Sequence, residues 1–240
     1  MELLLSSLII FLASILQGVA GFGFALLAVP FLSMIIPLSQ TVPLVVACST
    51  VTNIMVFASC RQHVNLKEIS LMTLCGIIGI PIGVYGLIHV DSDILKIIMS
   101  FVIIIIALAM YFGFHIHFKN KKLAYSLTGL LSGILNSSIA MSGPPIVIFL
   151  SNEGHSKEQF RANLTFYAII VNIITIITFY IQGLFDRSTL YMLGGNLIAL
   201  FIGGTLGIII CRRINDRKFR KLIICLLFIL GMIKLLQLIT

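Results

Sequence analysis

Two glycine- and amide-rich stretches hold the residues best suited to chemistry. Gln17-Gly18-Val19-Ala20-Gly21-Phe22-Gly23 falls in the middle of the first apolar run, and Gly133-Ile134-Leu135-Asn136-Ser137-Ser138 in the middle of a later one. Proline follows each, at Pro30 and at Pro144-Pro145. Proline removes a backbone donor and disfavours helix interiors, so both runs are predicted to be broken or re-entrant helices. A break frees backbone N–H groups, and the half-helix after it presents a partial positive charge at its N-terminus. Such an end can hold an anion without a lysine in lipid. The candidate substrate-binding residues are therefore Gln17, Gly21 and Gly23 in the first stretch, with Asn136, Ser137, Ser138 and Ser142 in the second. The competing reading is that these small residues only allow close helix packing.

Further candidates lie in neighbouring runs. Asn53 and Asn172 sit deep in apolar sequence, where an amide must find a partner. Substrate contact and an interhelical hydrogen bond that pins the broken helix are both open readings. Arg161, with Asn163, begins a run just after a polar loop. It is placed either to hold an anion at the mouth of a pathway or to snorkel as an interfacial arginine. Gly79-Ile80-Pro81-Ile82-Gly83 and Gly203-Gly204-Thr205-Leu206-Gly207 read as packing faces. The five histidines lie near loops and read as solvated, and the five cysteines have no metal or redox spacing. A phosphate-binding loop, an HExxH motif and a paired intramembrane carboxylate are all missing from the sequence. The expectation is accordingly a protein that is not an enzyme and needs no cofactor or metal.

The elements that position these residues are membrane helices. The chain is 59% hydrophobic and 10% charged, with a mean hydropathy of +1.14, whereas soluble domains carry about 25% charged residues. Its carboxylates fall near the ends of apolar runs, as the cost of charge at mid-bilayer demands. The net charge of +8 reads as basic loops beside lipid headgroups, not as a nucleic-acid surface. A span needs about 20 residues, and suitable runs lie at 3–36, 41–60, 69–90, 94–114, 123–150, 160–181, 188–211 and 219–238. In lipid every backbone group must be satisfied internally, so these runs are helices.

The two halves share landmarks in the same order. Gly18 falls on Gly133 and Pro30 on Pro145 at an offset of 115, Asn53 on Asn172 at 119, and Gly83 on Gly204 at 121. The expected fold is thus an all-α integral membrane protein of about eight transmembrane helices. It is built as two tandem four-helix repeats, 1–118 and 119–240, the first helix of each broken or re-entrant. Four spans per copy is an even number, which predicts parallel symmetry about the membrane normal. Loop Lys/Arg counts then favour both termini outside, by a small margin.

At these positions the sequence resembles the sulfite exporter TauE/SafE family. The likeness rests on Gln17-Gly18-Val19-Ala20-Gly21-Phe22-Gly23-Phe24-Ala25, on Ser132-Gly133-Ile134-Leu135-Asn136-Ser137 through Ser142-Gly143-Pro144-Pro145, on Arg161-Ala162-Asn163 leading to Asn172, and on Ala47-Cys48-Ser49-Thr50 leading to Asn53. The resemblance implies a multi-pass permease of the plasma (inner) membrane for small anions such as sulfite or sulfonates. It places Gly21–Gly23 and Asn136–Ser138 along the pathway, with Asn53 and Asn172 beside them. The expected function is movement of such an anion by alternating access. The partners expected are the small anionic substrate and the lipid bilayer, without nucleic acid, and a homo-oligomer is left open. The alternatives are a carrier of a metal or thiol compound and a non-transporting membrane scaffold.

Overall fold

The computed structural model describes residues 2–111 and 120–215. Nine α-helices follow one another there: α1 (Glu2–Ala20), α2 (Phe24–Leu32), α3 (Leu38–Cys60), α4 (Leu66–His89), α5 (Ser92–Tyr111), α6 (Lys121–Ile139), α7 (Gly143–Asn152), α8 (Lys157–Ile181) and α9 (Arg187–Arg212). A single 3-10 turn, Arg61–His63, joins α3 to α4, and no strand occurs among the described residues. Five helical stretches are long and apolar enough to cross a bilayer: Leu3–Ala20, Leu38–His63, Leu66–His89, Lys157–Ile181 and Arg187–Arg212. Their outward rows are apolar as well, for example Leu74, Ile78, Ile82 and Tyr85 on α4 and Ile198, Phe201 and Ile202 on α9. Such faces suit lipid. The chain is a multi-pass membrane protein. The run expected at 219–238 lies outside the described residues.

Paired contacts give each helix a direction. Along α1 and α9, Leu3 meets Gly195, Ser7 meets Asn196, Phe11 and Ser14 meet Gly203, and Gly18 meets Gly207, so the two run parallel. Along α4 and α6, Met72 meets Gly129, Gly76 meets Gly133, and Ile80 and Gly83 meet Ser137, which is again parallel. Helix α8 follows α6, with Tyr167 at Gly129 and Asn136 at Thr175. Against α3 it runs the other way: Cys60 packs by Ala162, Phe57 by Phe166, and Ser49 by Asn172. Lys157 reaches the carbonyls of Cys211 and Ile214, so α8 and α9 are antiparallel too. One set of helices (α1, α3, α9) therefore opposes another (α4, α6, α8). The expected parallel symmetry would align α3 with α8, and they are antiparallel instead.

The reason lies in the broken runs, which fold back. In α6–α7 the contacts Ser132–Ser142, Tyr125–Phe149 and Lys121–Glu153 describe an antiparallel hairpin. Helix α2 likewise lies between α1 and an α3 that is parallel to α1, so it too returns. A hairpin enters and leaves by one face, which changes the parity of everything after it.

Glycine makes the closest contacts possible. A Cβ on Gly133 would overlap the Gly76 carbonyl, and one on Gly18 would stand 2.7 Å from the Gly204 carbonyl oxygen. The expected packing faces Gly79–Gly83 and Gly203–Gly207 pack this way, backbone against backbone. The α1–α9 and α4–α6 pairs each join the first half of the chain to the second.

Candidate functional site

Two breaks converge on one small cavity. The first is Gly21-Phe22-Gly23, between α1 and α2, where Gly21 (φ 82°) and Gly23 (φ 97°) take left-handed conformations that suit glycine. The second lies at Ala140-Met141-Ser142, between α6 and α7, where Ala140 has φ 60°. This differs from the sequence expectation of a break within 133–138. Those residues are helical, because Gly133 and Ser137 are taken up in the α4 contact and the chain turns only beyond it. Gln17 is likewise in helix, one turn before its break.

The cavity, about 30 Å³, holds about two waters by volume. Gln17, Gly21, Phe22 and Gly23 line it from the first break, and Ala140, Met141, Ser142 and Gly143 from the second. Ser49 and Asn53 of α3 and Leu164 and Ala168 of α8 complete the wall. None of the lining residues carries a charge. The first turns of α2 (Phe24, Ala25, Leu26) and α7 (Gly143, Pro144) both face it, and neither N-terminus has a side-chain cap. Their free N–H groups and helix dipoles supply positive potential without a cation. In α7, Pro144 and Pro145 carry no N–H, which leaves Gly143 and the Ser142 hydroxyl as the donors nearest the break.

The predicted site residues divide sharply. Gln17, Gly21, Gly23, Asn53 and Ser142 line the cavity. Asn172 stands one contact behind it, its Nδ2 donating to Ser49 Oγ at 3.0 Å. Asn136, Ser137 and Ser138 are not among the lining residues. Asn136 donates to Thr175 Oγ1 at 3.1 Å, Ser137 to the Ile80 carbonyl at 3.0 Å, and Ser138 to the Ile134 carbonyl at 2.7 Å.

Arg161 fits neither sequence reading. It is 4% exposed and donates from Nη2 to the Gly18 carbonyl at 2.7 Å. That carbonyl lies in the last turn of α1, where acceptors lose their helical partners and the dipole is negative. Arg161 thus caps the helix that ends at the first break, and Gly21 packs on its stem. Asn163 joins the start of α4 instead: its Oδ1 accepts from the Asn65 N–H, and its Nδ2 donates to Glu68. Glu68 also accepts from the Tyr125 hydroxyl and stands 2.9 Å from His155 Nε2. The expectation of solvated histidines fails at His155, which is 11% exposed and paired across elements.

Sequence reasoning gave Ser49 no role of its own, although Ser49 and Asn53 stand one helical turn apart and so share a face. Ala140 stands opposite Ala25 at the offset of 115, but nothing in the sequence marked it as a turn.

An all-helical membrane protein with two broken helices meeting at a polar cavity is a transporter architecture. The sulfite exporter TauE/SafE family model matches residues 6–233, nearly the whole chain. The protein belongs to that family of membrane permeases. No curated protein and no solved structure matches the chain.

Proposed function

We propose that the protein is a permease for a small sulfur oxyanion, or a related sulfonate or carboxylate, moved across the plasma (inner) membrane by alternating access. The observation that carries this reading is the shared cavity, where two uncapped helix N-termini meet. Two half-positive helix ends, the Ser142 hydroxyl and the Asn53 amide nitrogen replace hydration with no charged side chain in the lining. Backbone donors of this kind are pre-organised, so they bind without the entropy cost of ordering long side chains.

The two halves, 1–118 and 119–240, are best read as inverted copies. Helix α1 corresponds to α6, α2 to α7, α3 to α8 and α4 to α9. At an offset of 119 Ala20 coincides with Ile139, where both first helices end, and Asn53 with Asn172. Among the described residues each copy has a re-entrant hairpin, and the corresponding helices α3 and α8 run in opposite directions, which supports an inverted relation about an axis in the membrane plane. An inverted pair gives a direct route to alternating access, because the two copies can exchange conformations. In this arrangement Arg61, Lys67, Lys121, Lys122, Lys157, Arg212 and Arg213 share one membrane face, against Lys96 and Arg187 on the other. That asymmetry supports a cytoplasmic location for the basic face and an N-terminus outside.

Thermal unfolding of purified protein against a panel of anions tests the reading. Sulfite or a sulfonate is expected to raise the melting temperature where chloride does not, and Ser142→Ala should weaken that response. A flat response across the panel, together with no sulfite flux in proteoliposomes, defeats it.

A further inference from the structure

The cavity wall and the layer directly behind it contain two buried oxygen atoms that no described residue satisfies: Gln17 Oε1 and Asn172 Oδ1. The residues are 3% and 1% exposed. A buried polar atom without a partner is costly, and two beside one cavity require an explanation. Both belong to amides that bond to Ser49. Gln17 Nε2 donates to the Ser49 carbonyl at 3.4 Å and to Asn53 Oδ1 at 2.5 Å. Asn172 Nδ2 donates to Ser49 Oγ at 3.0 Å.

Hydrogen-bond accounting fixes which end of each amide is left over. The Ser49 carbonyl can only accept, so the Gln17 nitrogen must face it and the oxygen is the orphan. The Ser49 hydroxyl donates to the Val46 carbonyl at 3.1 Å, and in this arrangement its oxygen accepts from Asn172 Nδ2. Again the oxygen is left. Turning Gln17 over would set its oxygen against the Ser49 carbonyl. Both orphans in this arrangement are acceptors, and an anion cannot satisfy an acceptor.

We propose that this cluster binds a monovalent alkali cation, with Na+ as the coupling ion, held by Gln17 Oε1 and Asn172 Oδ1 beside the Ser49 turn of α3. Neutral amide oxygens are hard ligands suited to such an ion, whereas transition metals favour imidazole and thiolate. Among the described residues no group of three or more His, Cys, Asp or Glu could hold a metal. The inference deepens the anion reading and rests on it. No charged side chain lines the cavity; Arg161 lies behind Gly21, with Nη2 on the Gly18 carbonyl and Nε buried without a partner. A cation one contact from the cavity adds a second positive charge there and lets it cross with a monovalent anion as a neutral pair.

The test is thermal unfolding in sodium, potassium and choline chloride without any sulfur anion, followed by sulfite uptake into proteoliposomes. Sodium is expected to raise the melting temperature saturably, by roughly 5 °C or more at 100 times its dissociation constant, with choline inert. Gln17→Met should abolish the shift. Asn172→Asp, which turns an orphan into a carboxylate, should tighten the apparent sodium affinity by at least about tenfold and be rescued by sodium if it folds poorly. An inward sodium gradient should drive sulfite uptake in the wild type. Sulfite-dependent stabilisation or flux that is indifferent to sodium overturns the inference and leaves the anion permease standing; the orphans are then met by water. Uptake driven by a proton gradient alone also overturns it, and assigns the oxygens to a protonated oxyanion. A sodium shift with no anion response at all has the opposite meaning: the cation site survives and the anion reading falls.

Discussion

Arg161 in α8 holds the Gly18 carbonyl of α1 at 2.7 Å, across 143 residues of sequence. The bond caps a helix from one half of the chain with a cation from the other. It also fixes the approach to Gly21, whose Cα would admit no side chain without displacing the Arg161 stem. A hydrogen bond to a charged group contributes about 1.5–3 kcal/mol. Arg161→Met should therefore lower the melting temperature by roughly 3–10 °C, and Arg161→Lys by less. An equal or higher melting temperature in Arg161→Met would show that the cap costs more in desolvation than it returns.

The α4–α6 contact makes a sharper comparison. Gly133→Ala drives a methyl into the Gly76 backbone, and overpacking of this kind costs about 1–3 kcal/mol or more. Gly86→Ala meets nothing within 4 Å and should be neutral, or stabilising by about 1 kcal/mol through helix propensity. Expression level and thermal unfolding in detergent measure both. Similar behaviour of the two variants would mean that the glycine face does not set the packing distance.

Asp186 offers a pH-dependent test outside the membrane. As the N-cap of α9 it accepts from the Thr189 N–H at 2.7 Å, and that bond holds its carboxyl below the ordinary 3.8. A lowered pKa contributes stability above the unfolded value, and that contribution is lost as pH falls through the folded one. Asp186→Ala should cost about 1 kcal/mol at neutral pH. Asp186→Asn keeps the cap and removes the titration, so its acid unfolding should be shallower as pH falls below the ordinary 3.8. An unchanged acid limb in Asp186→Asn would assign the acid sensitivity to other groups.

Direction can be read with thiol labelling. Lys96→Cys and Arg187→Cys should react with an impermeant reagent on intact cells, and Lys122→Cys only after permeabilisation. Labelling of Lys96→Cys and Lys122→Cys from the same side would refute the inverted arrangement.

The helices were legible in the sequence because lipid leaves the backbone no other option over long apolar runs. So were the first break, where Gly21 and Gly23 supply the left-handed turns, and the nearby Gln17 and Asn53. The second break was displaced because glycine signals two different things. At Gly21 it permits a turn, whereas at Gly133 it admits a neighbouring backbone, and composition alone does not separate them. The true turn uses Ala140, a residue with no such mark. Symmetry was misjudged for a related reason. The long run at 123–150 is equally consistent with one bent crossing and with a hairpin, and only contacts such as Ser132 with Ser142 and Lys121 with Glu153 distinguish them. Arg161 escaped because the acceptor that binds it lies in another half of the chain.

The pairing of α1 with α9 has a consequence for synthesis. Ser7, Ser14 and Gly18 on α1 have their partners on a helix that begins only at Arg187. At about 5–20 residues per second, the ribosome takes roughly 10–30 s to reach that helix after completing α1. Through that interval the first hairpin waits in or beside the insertion machinery with its small-residue face exposed, and a delay before the last described span would prolong the period in which a protease or a foreign helix can occupy it.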